Sequence, residues 1–377
     1  MKISFLKIFI STIIILSIII IFTSNLFNRN LSPYQFEKAI VEAINEEKLE
    51  NDSIVEDLYL GYQQIKIRIT TGKHKGETFN IRNPMSRLYN VHTSIGEKVV
   101  VSIYEENNVI QSISLYNYQK EKVVYTLIIS FFILLVLLSG WKGLYAVISL
   151  VFTGIMIVFF MIPMVFRGYE PIPITIITVG ITTIVTLLLI NGPNPKTLSA
   201  ILGTIIGVVL AGIISYIASN IAHISGLTSN EAEGLIYIAE HQNVKIKGLT
   251  FSAILIASLG AIMDVAMSIA SSIFELNRTY PKNTKNELFK SGMNIGKDIM
   301  GTMSNTLILA FVGSSLNTIL FIVAYGMPYR QIVNLDFLVA EVIQGTSGSI
   351  GIILTVPITA FIASILAKKI ENPSARH

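Results

Sequence analysis

The chain has 377 residues, 52% of them hydrophobic and 14% charged, with a formal net charge of +4. A soluble domain carries nearer a quarter charged residues, and the apolar residues here come in blocks of about 17–25, the length that spans ~30 Å of hydrocarbon as helix. The absence of cysteine excludes disulfides, thiolate catalysis and cysteine-based zinc or iron–sulfur sites, and the five scattered histidines form no HxxxH or HxH pair.

The first apolar block runs from about Ile8 to Phe27, behind Lys2 and Lys7. Its length and the poor cleavage site in "TSNLFNRN" favour an uncleaved anchor (1–29) over a signal peptide. Residues 30–120 are polar. "QIKIRIT" alternates Ile65, Ile67 and Ile69 with Lys66, Arg68 and Thr70, the period of a half-buried strand. "TGKHKGE" supplies turn chemistry, and "EKVVVSIYEENNVIQSISLYN" reads as two strands around a turn at Asn107 and Asn108. A small β domain resembling an OB or SH3 barrel is expected.

Seven further spans are expected at roughly 124–140, 143–166, 171–190, 198–221, 250–275, 300–325 and 348–367, within a membrane domain over 121–377. About eight transmembrane helices make this an α-helical polytopic membrane protein. With the N-terminus inside, the cytoplasmic segments hold Lys2, Lys7, Lys142, Lys196, Arg278, Lys282, Lys285, Lys290, Lys297, Lys368, Lys369 and Arg376. The outer loops between spans hold only Arg167, Lys245, Lys247 and Arg330. This asymmetry follows the positive-inside rule. It places the β domain outside a bacterial plasma membrane and the C-terminus in the cytoplasm. It also accounts for the positive charge without an anionic partner.

One span carries a carboxylate near its middle: "SLGAIMDVAMSIASSIFEL" holds Asp264. Ala253, Ala257, Gly260, Asp264, Ser268, Ser271 and Glu275 fall on one stripe, because steps of 3 and 4 return to one helical face. Ile254, Leu255, Ile262, Met263, Val265 and Ile269 occupy the other faces. A charge at mid-bilayer costs about 2.5–3.5 kcal/mol on insertion scales. The stripe is therefore expected to face protein or a water-filled cavity. Asp264 is read as a proton- or cation-binding carboxylate, with helix glue as the competing role.

In the next span Asn294, Asp298, Gly301, Thr302 and Asn305 share a face. Asn305 is expected to approach Asp264. Asp298, beside Lys297, is placed near the cytoplasmic mouth, as a gate or as an interfacial helix cap. "GSSLN", from Gly313, reads as a helix break or as part of a tilted span. In the last span Gly348 permits close packing or a non-helical entry, and Pro357, which frees a backbone carbonyl, is read as a harmless kink in preference to a break or an ion ligand. Glu341 and Gln344 are placed just before that span, as an outer vestibule. Ser199, Gly203, Gly207, Ala211, Ser215 and Ser219 form a small-residue series at i+4, expected to pack closely on another helix. Glu231, Glu233, Glu240 and His241 lie in an outer loop and match no strong metal motif.

Together "GAIMDVAMSIASSIFEL", "SGMNIGKDIMGTMSNTLILAFVGSSL" and "GTSGSIGIILTVPITA" resemble the YibE/F family of bacterial multi-pass membrane proteins, over roughly 60–367. The resemblance implies the architecture and location given above, and it places the family's characteristic motif aspartates at Asp264 and Asp298. It implies no substrate or reaction.

The leading functional expectation is a permease-like transporter of an unknown small solute or ion, coupled through Asp264. No GxxxxGK[ST] phosphate loop occurs in the chain, so an ion gradient or a partner would supply energy. The alternatives are a non-catalytic scaffold or sensor using the β domain and, remotely, an intramembrane aspartyl hydrolase. The hydrolase is disfavoured because Asp264 lies roughly 16 Å from the helix end and Asp298 near the surface. No cofactor, metal or nucleic acid is expected. Expected partners are the lipid bilayer and a paired membrane protein or second copy.

Overall fold

Isoleucines at every second position carry the first unit of the fold. The computed structural model describes residues 34–106, 109–224, 245 and 248–371. The expected N-terminal anchor, the Asn107–Asn108 turn and the loop residues Glu231, Glu233, Glu240 and His241 lie outside the described residues. The chain divides into two compact units between Leu135 and Val136.

The first unit has five strands: β1 (Tyr34–Asn51), β2 (Tyr59–Ile69), β3 (Thr78–Met85), β4 (Lys98–Glu106) and β5 (Val109–Tyr118). They form one antiparallel sheet in the order β3-β2-β1-β4-β5. The first half of β1 pairs with β4 and the rest with β2. Register shifts between Val41 and Ala43 and between Ile44 and Glu46 bend the strand, as bulges do. Ile65, Ile67 and Ile69 point into a core with Val41, Ile81, Val101 and Ile103. Among the described residues strands β3 and β5 remain edges with no ladder between them. The sheet is thus a half-barrel, where the sequence pattern led to a closed one.

Beside this core the buried Asp52 accepts hydrogen bonds from Arg87 Nε and from the backbone N–H groups of Ile54 and Val55. The Arg87 guanidinium and these donors hold its carboxyl down at about 2.

Helix α1 (Glu121–Ile155) runs from the first unit into the second and passes through a non-helical Gly140, at φ 58° and ψ −137°. It continues through a π-helical turn (Met156–Met161) into α2 (Ile162–Phe166). Then come α3 (Pro171–Asn191), α4 (Pro195–Ile221), α5 (Leu249–Thr279), α6 (Lys285–Ser314), α7 (Leu316–Ala324), α8 (Tyr329–Ile332) and α9 (Asp336–Glu371). Proline at the first turn starts α3 and α4. Among the described residues five helical runs are long and apolar enough to cross a membrane, or six if α6 and α7, bent by 60°, form one. No residue from Lys122 to Lys142 is buried, so this apolar stretch presents its side chains outward all round.

Two helices begin earlier than the hydropathy pattern indicates. A capping box starts α6, with Thr284 Oγ1 accepting from the Glu287 N–H and the Glu287 carboxylate accepting from the Thr284 N–H. Helix α9 begins at Asp336, so Glu341 and Gln344 lie on it.

Helix α9 is the hub, packed against α4, α5 and α6. The small-residue series of α4 makes this possible. Ser199, Gly203, Gly207, Ala211 and Ser215 are all buried. A β-carbon at Gly203 or Gly207 would overlap the hydroxyls of Thr359 or Thr355 on α9. Pro357 sits inside an unbroken α9. Gly348 is buried against Leu307 and Ser258. Gly348 therefore serves close packing, and neither residue breaks the helix.

Two predictions follow from this packing. Gly207→Val should destabilise the helical unit by about 1–3 kcal/mol through overpacking, read as a lower unfolding temperature in detergent. Gly180→Val, where nothing lies within 4 Å, should lose much less. In the β unit, Asp52 titrates below its unfolded value of 3.8. Its contribution is present above that pH and is lost as pH falls through about 2. Asp52→Asn should flatten that acid limb in pH-dependent unfolding.

Candidate functional site

Helix α5 is amphipathic, with its isoleucine face turned to the helical core and its polar stripe exposed on this chain. Ile254, Leu255, Ile262, Val265, Ile269 and Ile273 are buried in the helical core. Ala253, Ala257, Gly260, Asp264, Ser268 and Glu275 are exposed, and Ser271 is partly exposed. The isoleucine face fills the space between α4, α6 and α9, so the polar stripe points away from the bundle. Among the described residues no hydrogen bond or ion pair reaches Asp264. Glu275 pairs with Arg278 at 3.1 Å.

Helix α6 repeats the arrangement. Leu288, Gly292, Gly296 and Leu307 are buried, while Asn294, Asp298, Gly301, Thr302 and Asn305 are exposed. The Thr302 hydroxyl donates to the Asp298 carbonyl, 3.2 Å away. Asn305 makes no hydrogen bond to Asp264, so the expected contact is not formed.

The helix register corrects a second expectation. A β-carbon at Gly292 would meet Ile273, and one at Gly296 would meet Ile269. These antiparallel contacts put Asp298 about level with Met267, within one turn of Asp264. Because α6 starts at Lys285, Asp298 is near the middle of its helix and does not cap it. Two carboxylates thus stand at similar height on the outward faces of adjacent helices, without a hydrogen bond between them.

On one flank of the α5 stripe lies a cavity of about 360 Å³ between α1, α3 and α5. Ser149, Thr153, Thr178, Thr182 and Thr186 line it, with Gly260 and Met263 from α5. Asp264 follows Gly260 by one turn. Ser149, Thr153, Thr178 and Thr182 each donate to a carbonyl one turn back, which satisfies the hydroxyl proton and leaves oxygen lone pairs available. These residues were not among the expected ones, although Thr178, Thr182 and Thr186 repeat at i+4 and so declare a shared face.

Near the other end of α6, the expected break is present. Gly313 lies two residues before Ser315, where α6 gives way to α7. Glu341 lines a second cavity against this bend. Gln344 is partly buried on the next turn of α9.

A YibE/F-like family model matches residues 127–369, and the model of the YibE/F family N-terminal domain matches residues 32–118. The chain belongs to the YibE/F family. Neither a curated protein nor a solved structure matches it. The two matched segments correspond to the helical and β units, so YibE/F membership covers both and the whole α5–α6 polar face.

Because neither carboxylate touches the core, Asp264→Asn and Asp298→Asn should each shift folding stability by no more than about 0.5 kcal/mol in ion-free detergent, as outward substitutions do. A fall of several degrees in unfolding temperature would instead make the carboxylate a structural tie between helices.

Proposed function

We propose that this protein is a multi-pass permease of the bacterial plasma membrane that moves a small solute or ion along the polar face of α5 and α6. The single observation that carries the reading is the outward exposure of Asp264 and Asp298 at similar height on two apolar helices. Facing lipid, each charge would cost about 2.5–3.5 kcal/mol or more. The stripe is therefore covered in the membrane by water and a second chain, a copy of this one or a paired membrane protein. Asp264 binds and releases a proton or cation there. Asn294, Asp298, Thr302 and Asn305 supply further oxygen and amide groups on the same surface, and Ser268, Ser271 and Glu275 continue it along α5.

The helical run from Glu121 to Phe166 is 46 residues long, roughly 69 Å of helix, which is enough for two crossings. Divided at Gly140, it gives seven spans after the β domain and eight with the N-terminal anchor. The charge asymmetry of the loops supports a β domain outside and both termini in the cytoplasm. A scaffold or sensor that reads an outer ligand through the half-barrel is the second reading, favoured by the unpaired edges of β3 and β5. Aspartyl hydrolysis is not favoured, since it needs two carboxyls close enough to share a proton, and none is shared here.

Unfolding temperatures of wild type and Asp264→Asn, measured across pH and with Na⁺, K⁺ and divalent ions, test the proposal. A ligand that binds only the folded state raises its stability. An ion- or pH-dependent rise in wild type that is absent in Asp264→Asn is expected. Identical profiles for the two proteins would remove Asp264 from any binding role and move weight to the sensor.

A further inference from the structure

The bend between α6 and α7 encloses a feature separate from the α5–α6 stripe. A cavity of about 170 Å³ lies between these helices and α9. Its walls are apolar: Ile308, Phe311, Ile319, Leu338 and Val342 all contribute. One carboxylate, Glu341, reaches it. The Oε2 atom of Glu341 is buried and has no hydrogen-bond partner. The polar neighbour of the carboxylate is the hydroxyl of Ser315, the residue at the bend, which is 9% exposed. No Lys or Arg lines the cavity.

A buried, unpaired carboxylate oxygen is costly unless something neutralises it. The lining restricts what that can be. A hard metal cation takes six to eight oxygen ligands, whereas this cavity offers Glu341 and the hydroxyls of Ser315 and Thr346. The Thr346 hydroxyl proton is already given to the Val342 carbonyl, 2.6 Å away. Apolar walls with one charged group instead suit a ligand that is largely apolar and carries one positive charge. Phe311 adds an aromatic surface of the kind that attracts alkylammonium groups.

We infer that the cavity at the α6–α7 bend is a binding site for a small organic cation, with Glu341 as its counter-charge and Phe311 and the aliphatic side chains as its walls. The site lies at the 60° bend between α6 and α7. The site does not depend on the transport reading of Asp264.

Thermal unfolding of the full chain in detergent, titrated with tetraethylammonium against equal ionic strength of NaCl, tests the inference. Wild type should gain stability with tetraethylammonium and not with Na⁺. Glu341→Gln should weaken the apparent affinity by ~tenfold or more, the loss of a charge-assisted contact. Val342→Trp, on the rim of the cavity, should block the site while keeping the carboxylate, which guards against misfolding of the Glu341 variant. Asp336→Asn, an exposed carboxylate at the start of α9, should respond like wild type. No stabilisation of wild type by tetraethylammonium, an equal response to Na⁺, or an undiminished response in both Glu341→Gln and Val342→Trp would each overturn the inference.

Discussion

The close contact of α4 with α9 governs the helical unit. Glycines at 203 and 207 leave room for the Thr359 and Thr355 side chains, so α9 sits at the centre of the bundle. Without that approach α9 would stand further out, and the isoleucines of α5 would lack a surface to fill. Glycines 292 and 296 of α6 repeat the device on the opposite side, against Ile273, Ile269, Val356 and Ala360. In a membrane, helices associate through such small-residue contacts, since apolar burial alone gives little preference over lipid.

The polar stripes are positioned by this packing. With their apolar and small faces committed to α9, α5 and α6 can only turn Asp264 and Asp298 outward. The arrangement is unusual for a membrane helix, where ionisable groups face a bundle interior, a cavity or a partner. In a chain whose own interior is filled by isoleucine, alanine and glycine, the remaining options are water and a second chain. The same logic separates the two cavities. One is edged by hydroxyls that are already satisfied within their own helices; the other holds a carboxylate oxygen with no partner.

Much of the architecture was legible. The alternation of Ile65, Ile67 and Ile69 set β2 and its inward face, the i+4 glycines of α4 declared its contact with another helix, and "GSSLN" marked the bend. Strand β1 was not legible, because "EKAIVEAINEEKLE" is rich in Ala, Glu and Lys, which favour helix. It is a strand because β2 and β4 pair with it on both sides, and pairing outweighs local preference. The capping box at Thr284 and Glu287 was readable, yet hydropathy alone marks only the apolar part of α6 and not its start. The orientation of the α5 stripe could not be read from one chain. Periodicity identifies a polar face, but which face meets the core depends on what the neighbouring helices offer.

The central claim is that the α5 stripe is wet in the membrane. The chain has no cysteine of its own, so a single introduced thiol reports cleanly, reacting with a charged reagent only where water lets it ionise. Ser268→Cys, one turn from Asp264, and Ile206→Cys, an exposed apolar position on α4, should be compared in native membranes. The account predicts that the first reacts readily with a small membrane-impermeant thiol reagent and the second does not. Equal resistance at both positions would mean that the stripe is dry, and would contradict a transport path along α5 and α6.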